Sequence, residues 1–212
     1  MIEHKELIKS INVSCKNIFD KSFKLESYLG NYNTIVYRVE GTANALNRFE
    51  IPYEPVKVLY WFNDFWLFLE IKFTGSIKVE RRKKINQIYT SISLSVFQGE
   101  ESNEMKYQLF RAEWDDFCNP NEKHSQPHWH LTSNQAIEKT FEDYSNTFED
   151  DGFISLLKEV KTKVFNVNKI HFAMNGNWQN DETHIHNIDD EAKVLKWLQG
   201  VLNHIRTELE EL

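Results

Sequence analysis

The apolar residues change their period twice along the chain, and that change constrains the fold more than any other feature. Near the amino terminus, residues 3–20 place Leu7, Ile8, Ile11, Cys15, Ile18 and Phe19 at steps of one, three and four. Such spacing gathers them on one face of a helix and leaves Lys5, Glu6, Lys9 and Asn12 toward water. Gly30 then breaks the chain, and the period falls to two. Residues 34–40 read as a strand, and 56–62 with 65–74 read as a hairpin turning at Asn63-Asp64. In 88–97, Ile88, Ile92, Leu94 and Val96 take one face, and Ser91, Ser93 and Ser95 take the other. The polar connection 99–104 leads into 107–114, which is expected to pair antiparallel with 88–97. A loop with Pro120 and Pro127 precedes a short strand at 128–132.

Helical steps resume over 136–148 and 153–160, and a lone strand near 168–174 interrupts them. A terminal helix then starts at Asp189-Asp190-Glu191, acids suited to capping and to the positive helix end. Its apolar face is Val194, Leu195, Leu198, Val201, Leu202, Ile205 and Leu209. The connections between strands are too short for repeated helical crossovers, so the sheet is expected to be antiparallel. The reading is a single α+β domain over residues 1–212. Its antiparallel sheet covers about residues 33–132 plus the strand near 168–174, flanked by N-terminal and C-terminal helices.

Charge and cysteine usage narrow the partners. The chain carries 25 Lys and Arg against 32 Asp and Glu, a net charge of −7, which argues against coating nucleic acid over the whole surface. A nucleic-acid contact would have to run through Arg81, Arg82, Lys83 and Lys84, in a basic run that reads first as a solvated connector. Cys15 and Cys118 lack CxxC spacing, which suits a reducing compartment. The most apolar run, 58–69, is interrupted by Asn63-Asp64 and falls short of the roughly 18 residues of a spanning helix. With no signal-peptide pattern at Met1, the expected location is cytoplasmic, without a membrane contact. The 15 Phe, 8 Tyr and 6 Trp exceed what one small core readily hides, which suggests an interface with other protein subunits or self-association.

Standard phosphate loops, H-E-x-x-H and G-x-S-x-G are absent. Histidine placement is biased instead: His124, His128, His130, His171, His184 and His186 all fall in one stretch, four of them as His-x-His pairs. On a strand, such a pair points both rings to one face, roughly 6.5–7 Å apart along the chain. Two rings so placed can converge on one ion at roughly 2.0–2.1 Å each. Arg111, Glu113 and Asp115 share one face of the preceding strand. If that strand neighbours 128–132, Glu113 or Asp115 completes a two-His-one-carboxylate set for Zn, Mn or Mg. His171 faces opposite Ile170, Phe172 and Met174, so it too can reach a polar surface.

The candidate catalytic residues are therefore Arg111, Glu113, His128, His130 and His171, and the candidate ligands are His128, His130, Glu113 and Asp115. Plainer readings stand beside these. They are a hydrogen-bonded histidine pair, an exposed loop at His184/His186, a cross-strand ion pair at Arg111 beside Glu113, and core or rim packing for Trp114 and Trp129. Asp64 with Glu70-x-Lys72 resembles the carboxylate–lysine arrangement of restriction-endonuclease-like nucleases, but Asp64 falls at a hairpin tip rather than beside Glu70.

The order Leu109-Phe-Arg-Ala-Glu-Trp-Asp115, then Pro127-His-Trp-His130, then Lys169-Ile-His-Phe172 resembles a pattern in small uncharacterised prokaryotic proteins, some in phage-defence or toxin–antitoxin-like operons. The resemblance implies a defence-related role inside a multiprotein assembly. Two expectations follow. One is a cytoplasmic accessory or binding subunit of such an assembly. The other is a metal-dependent phosphodiesterase or nuclease built on the His-x-His strand, or a metal-free RNase with two histidines as general base and acid.

Overall fold

The computed structural model describes residues 3–19, 23–47, 54–80, 83–102, 106–116, 125–131, 171–173 and 186–211, and its sheet is built around one long hairpin. Strand β5 (Phe65–Glu80) and strand β6 (Lys83–Gln98) pair antiparallel in unbroken register from Phe65↔Gln98 to Glu80↔Lys83. On one flank, β6 pairs with β7 (Tyr107–Asp115), then β8 (His128–Leu131), then β9 (His171–Ala173). On the other flank, β5 pairs with β2 (Thr34–Val39), which carries β1 (Leu25–Asn31) at the edge. Every pairing among the described strands is antiparallel. Helix α1 (His4–Ser14) and helix α2 (Glu191–Glu210) complete the α+β arrangement expected from the periods.

Alternation along the strands produces two unlike faces. Leu67, Leu69 and Ile71 of β5, Ile92, Leu94 and Val96 of β6, and Ala112 and Trp114 of β7 point to one side. There they meet Leu7, Ile8 and Ile11 of α1 and Val194, Leu198, Val201, Leu202 and Ile205 of α2. The Asp190 carboxylate caps α2 by accepting from the Ala192 N–H at 2.8 Å, as the acidic start of that helix suggested. Asn12 ties α1 to the sheet, since its side chain both accepts from the Leu25 N–H and donates to the Leu25 carbonyl. Burial pushes the Cys15 thiol up to about 12, consistent with a packing role.

The opposite face is covered differently. Strand β4 (Glu54–Phe62) pairs with β5 only through Leu59, Tyr60 and Phe62, because β2 takes over that edge further along. The first half of β4 peels away, paired with β3 (Ala43–Asn47), and this flap folds over the second face. Ala45, Val56 and Val58 there bury against Trp66, Phe68 and Phe97. The fit is tight at Gly41, where a Cβ would lie 2.4 Å from the Val58 backbone nitrogen.

Several expectations are adjusted by the structure. The sheet starts at Leu25 rather than near residue 33, and Gly30 lies inside β1, where the register shifts between Tyr28 and Asn31. A glycine in a strand marks such a bulge as readily as a break. The turn at Asn63-Asp64 forms as expected, with Asn63 at φ 48°. The helices read at 136–148 and 153–160 lie outside the described residues, as do His124, His184, Cys118, Arg81 and Arg82. Among the described residues, no helix is long and apolar enough to cross a membrane.

Candidate metal centre

Cross-strand register assembles the site. Along the second face, Arg38 of β2 opposes Glu70 of β5, Glu70 opposes Ser93 of β6, Ser93 opposes Glu113 of β7, and Glu113 opposes His128 of β8. The next row runs Ser95, Arg111, His130 and, at β9, His171. Residues directly opposite are the closest side-chain neighbours in a sheet. A polar lane thus crosses five strands, from β2 to β8, and ends on Glu113, His128 and His130.

There, three ligand-type atoms converge. His130 Nε2 lies 2.7 Å from Glu113 Oε2, His128 Nε2 lies 3.5 Å from the same oxygen, and the two Nε2 atoms are 2.9 Å apart. An ion bonded at roughly 2.0–2.1 Å to each would hold them roughly 2.9–3.4 Å apart, for angles between a right angle and tetrahedral. The observed distances bracket that range. Protons alone serve this triangle poorly. A single N–H directed at Oε2 leaves the remaining nitrogen contact without a hydrogen aimed along it, whereas one cation at the centre satisfies all three lone pairs.

The surroundings prepare these groups for a metal. Burial would raise the Glu113 carboxyl, but hydrogen bonds from His128 and His130 and the Arg111 charge outweigh it and hold the acid well below the usual carboxylate range. Burial pushes His130 below its ordinary value, keeping the imidazole neutral and its lone pair available. Arg111 Nε sits 2.8 Å from Glu113 Oε1, and Ser93 Oγ approaches the same oxygen at 3.5 Å. Arg111 thus spans the carboxylate, its Nη2 donating at 3.3 Å to Oε2, the oxygen that also faces the histidines. This is the outer support that ligands of a metal normally have.

The expected residues are only partly brought together. Glu113, His128 and His130 meet, and Asp115 does not join them, because its Oδ2 accepts from Gln126 Nε2 at 3.1 Å. Arg111 and Glu113 do pair, but along one strand instead of across two. His171 is the register partner of His130. His186 lies exposed, its carbonyl accepting from Trp114 Nε1, in line with the loop reading. Trp114 and Trp129 pack on the helix-covered core.

The nuclease-like set of Asp64, Glu70 and Lys72 is not assembled. Asp64 stays at the hairpin tip, where its side chain accepts from Gln98, and Glu70 is bound by Arg38 at 2.7 Å. Sequence reading missed Asn47, fully buried in β3 beside β7, whose amide atoms have no hydrogen-bond partner among the described residues. Its one signal was an asparagine in a strand, where that residue is scarce. No known protein family, curated protein or solved structure matches the chain.

Proposed function

We propose that the protein is a metal-dependent phosphodiesterase whose ion is held by Glu113, His128 and His130. The observation that supports this most is the mutual approach of three ligand atoms, all within 4.8 Å of one another, on two adjacent strands. Two imidazole nitrogens among three ligands favour Zn or Mn over Mg, which prefers oxygen. Three protein ligands leave a position for water, whose pKa a divalent ion lowers enough to supply hydroxide near neutral pH. The charge balance supports an anionic substrate: a carboxylate, the Arg111 guanidinium and a divalent ion together leave +2 at the site. Arg111 acts here as a positioning residue for Glu113. The metal-free alternative is less favoured, since general base and acid must reach different oxygens of the scissile group, and these two nitrogens face one another at 2.9 Å.

Metal analysis of tag-free protein, together with hydrolysis of bis(p-nitrophenyl) phosphate, tests the reading. Wild type is expected to retain about one ion per chain and to turn over the ester, and Glu113→Gln to lose both. Wild type free of metal and inactive with added Zn or Mn would overturn it.

A second reading keeps the ion structural and makes the chain an accessory subunit of a larger assembly, the defence-related role that the sequence resemblance implied. Exposed Ile35, Ile77, Ile85 and Ile88 on β2, β5 and β6 favour it. A metal-loaded, catalytically silent protein that co-migrates with another subunit would select it.

A further inference from the structure

The hairpin of β5 and β6 outruns the rest of the sheet. On its flanks, the pairing with β2 ends at Thr74 and the pairing with β7 ends at Ser91. Beyond them, the six pairs from Gly75↔Ile88 to Glu80↔Lys83 have only each other among the described strands. At about 3.3 Å per residue this is an arm of about 20 Å, and an isolated two-stranded ribbon is at best marginally stable by itself. Large apolar side chains on it lie in water, with Ile77 62%, Ile85 45% and Ile88 41% exposed.

The arm also concentrates the positive charge of the chain. The sequence from Gly75 to Thr90 carries Lys78, Arg81, Arg82, Lys83 and Lys84 against one acid, Glu80. That is +4, which leaves −11 on the remainder of a chain whose total is −7. A connector that only needed solubility would not have to oppose the sign of the whole molecule. Lys83 and Lys84 are both exposed near the outer end. By strand alternation, Lys83 shares the face of Ser91 and Ser93, the face that carries the metal centre.

We infer that the β5–β6 arm docks double-helical DNA by entering its major groove, and that this duplex is the phosphodiester substrate of the metal centre. A two-stranded ribbon fits a B-form major groove, which is about 12 Å wide. The deep, narrow major groove of duplex RNA does not admit it. Lys83 and Lys84 neutralise phosphates at the groove walls, and the exposed isoleucines supply apolar contact to thymine methyl groups. The nine residue steps along β6 from Lys84 to Ser93 span about 30 Å, close to one helical turn of the duplex. The arm therefore grips roughly a turn away from the phosphate that would be cut. The acidic remainder repels DNA elsewhere and so orients it. Assigning the duplex as substrate rests on the phosphodiesterase reading, whereas the docking does not.

The test uses the full chain and a short fluorescein-labelled DNA duplex, titrated by anisotropy over a series of salt concentrations. Lys83→Glu with Lys84→Glu is expected to weaken binding at least tenfold and to flatten the slope of log affinity against log salt by about two. Lys5→Glu with Lys9→Glu, an equal charge change on α1, is expected to leave the slope unchanged. Replacing Lys83 and Lys84 by Arg should retain binding. The Lys83/Lys84 reversal should keep its metal and its hydrolysis of bis(p-nitrophenyl) phosphate, and Glu113→Gln should keep duplex binding while losing the metal.

Undiminished duplex binding by the Lys83/Lys84 reversal, or an equal loss in the α1 control, overturns the docking. Tighter binding to single strands, or to duplex RNA, overturns the groove assignment. Duplex binding that persists in a wild type without metal or hydrolysis leaves the arm standing and removes the phosphodiesterase reading.

Discussion

The two faces of this sheet are made from the same strands and serve opposite ends. On the helix-covered face, Leu67, Leu69, Ile92, Leu94 and Val96 are fully buried against α1 and α2 with no charged side chain in the cluster. One residue along each strand, the other face carries Glu70, Ser93, Arg111, Glu113 and His128, several of them just as buried. The apolar face can supply stability because each buried carbon adds to it without needing a particular partner. The polar face can hold chemistry because its buried arginines are answered by carboxylates: Arg38 by Glu70 across the strands and by Glu54 of β4, and Arg111 by Glu113 along β7. Burying charges in such a lane costs desolvation, and the apolar face opposite is large enough to offset it.

Breaking the apolar face should have the largest effect. Leu198 is fully buried at the centre of the α2 stripe, so Leu198→Asp places a charge there with no partner. The expected loss is about 4 kcal/mol or more, seen as insolubility or loss of the cooperative melt. A normal melting temperature would mean that α2 does not hold the sheet.

On the polar face the effect should be conditional on metal. Zinc at a hundredfold excess over its dissociation constant should stabilise wild type by about 2.7 kcal/mol, or about 5–10 °C in melting temperature for a chain of this size. His130→Ala should erase the zinc shift while leaving the metal-free melt nearly unchanged. If the histidine pair is merely structural, the same variant should instead melt lower without zinc, by about 1–3 kcal/mol, and wild type should show no shift. The flap ranks next. Gly41→Ala pushes a methyl group into the β4 backbone at Val58, and about 1–3 kcal/mol is expected from that overpacking. Retained metal uptake in this variant would show that the flap and the metal centre are separable.

Much of this division was legible in the residues themselves. The alternation of Ile92, Leu94 and Val96 with Ser91, Ser93 and Ser95 announced a two-sided strand, and His128-x-His130 announced two rings on one side. What alternation cannot supply is register. Whether Glu113 or Asp115 meets the histidines depends on how the chain between β7 and β8 closes, and the alternatives differ by one repeat of the pleat. The strands at 25–31 and 43–47 also escaped, because Gly30 reads as a break and Ala-Asn-Ala-Leu-Asn has little strand preference of its own. Pairing partners hold both in place. Part of the aromatic content that pointed to an interface is buried in a second apolar layer, where Trp66, Phe68 and Phe97 lie under the flap. A period identifies an element, but only the pairing reveals that a sheet has two covered faces.

The smallest expected effect lies at the rim between the two faces. Asp116 follows the last residue of β7, and its carboxylate accepts from the Thr90 N–H. Burial pushes its pKa from 3.8 up to about 6, the Thr90 hydrogen bond opposes the rise, and the Asp115 charge adds to it. Between these two values the folded chain binds more protons at this site than the unfolded chain does. Its contribution to stability is therefore complete below pH 3.8 and is lost as the pH rises through about 6. Asp116→Asn keeps an oxygen for the Thr90 N–H and removes the titration. The variant should match wild type near pH 4 and melt slightly higher at pH 7, and the difference between the two melting curves should develop within that window. If Asp116→Asn instead loses stability at pH 7, the charged carboxylate is welcome at the rim, and the polar environment of the metal centre extends past the end of β7.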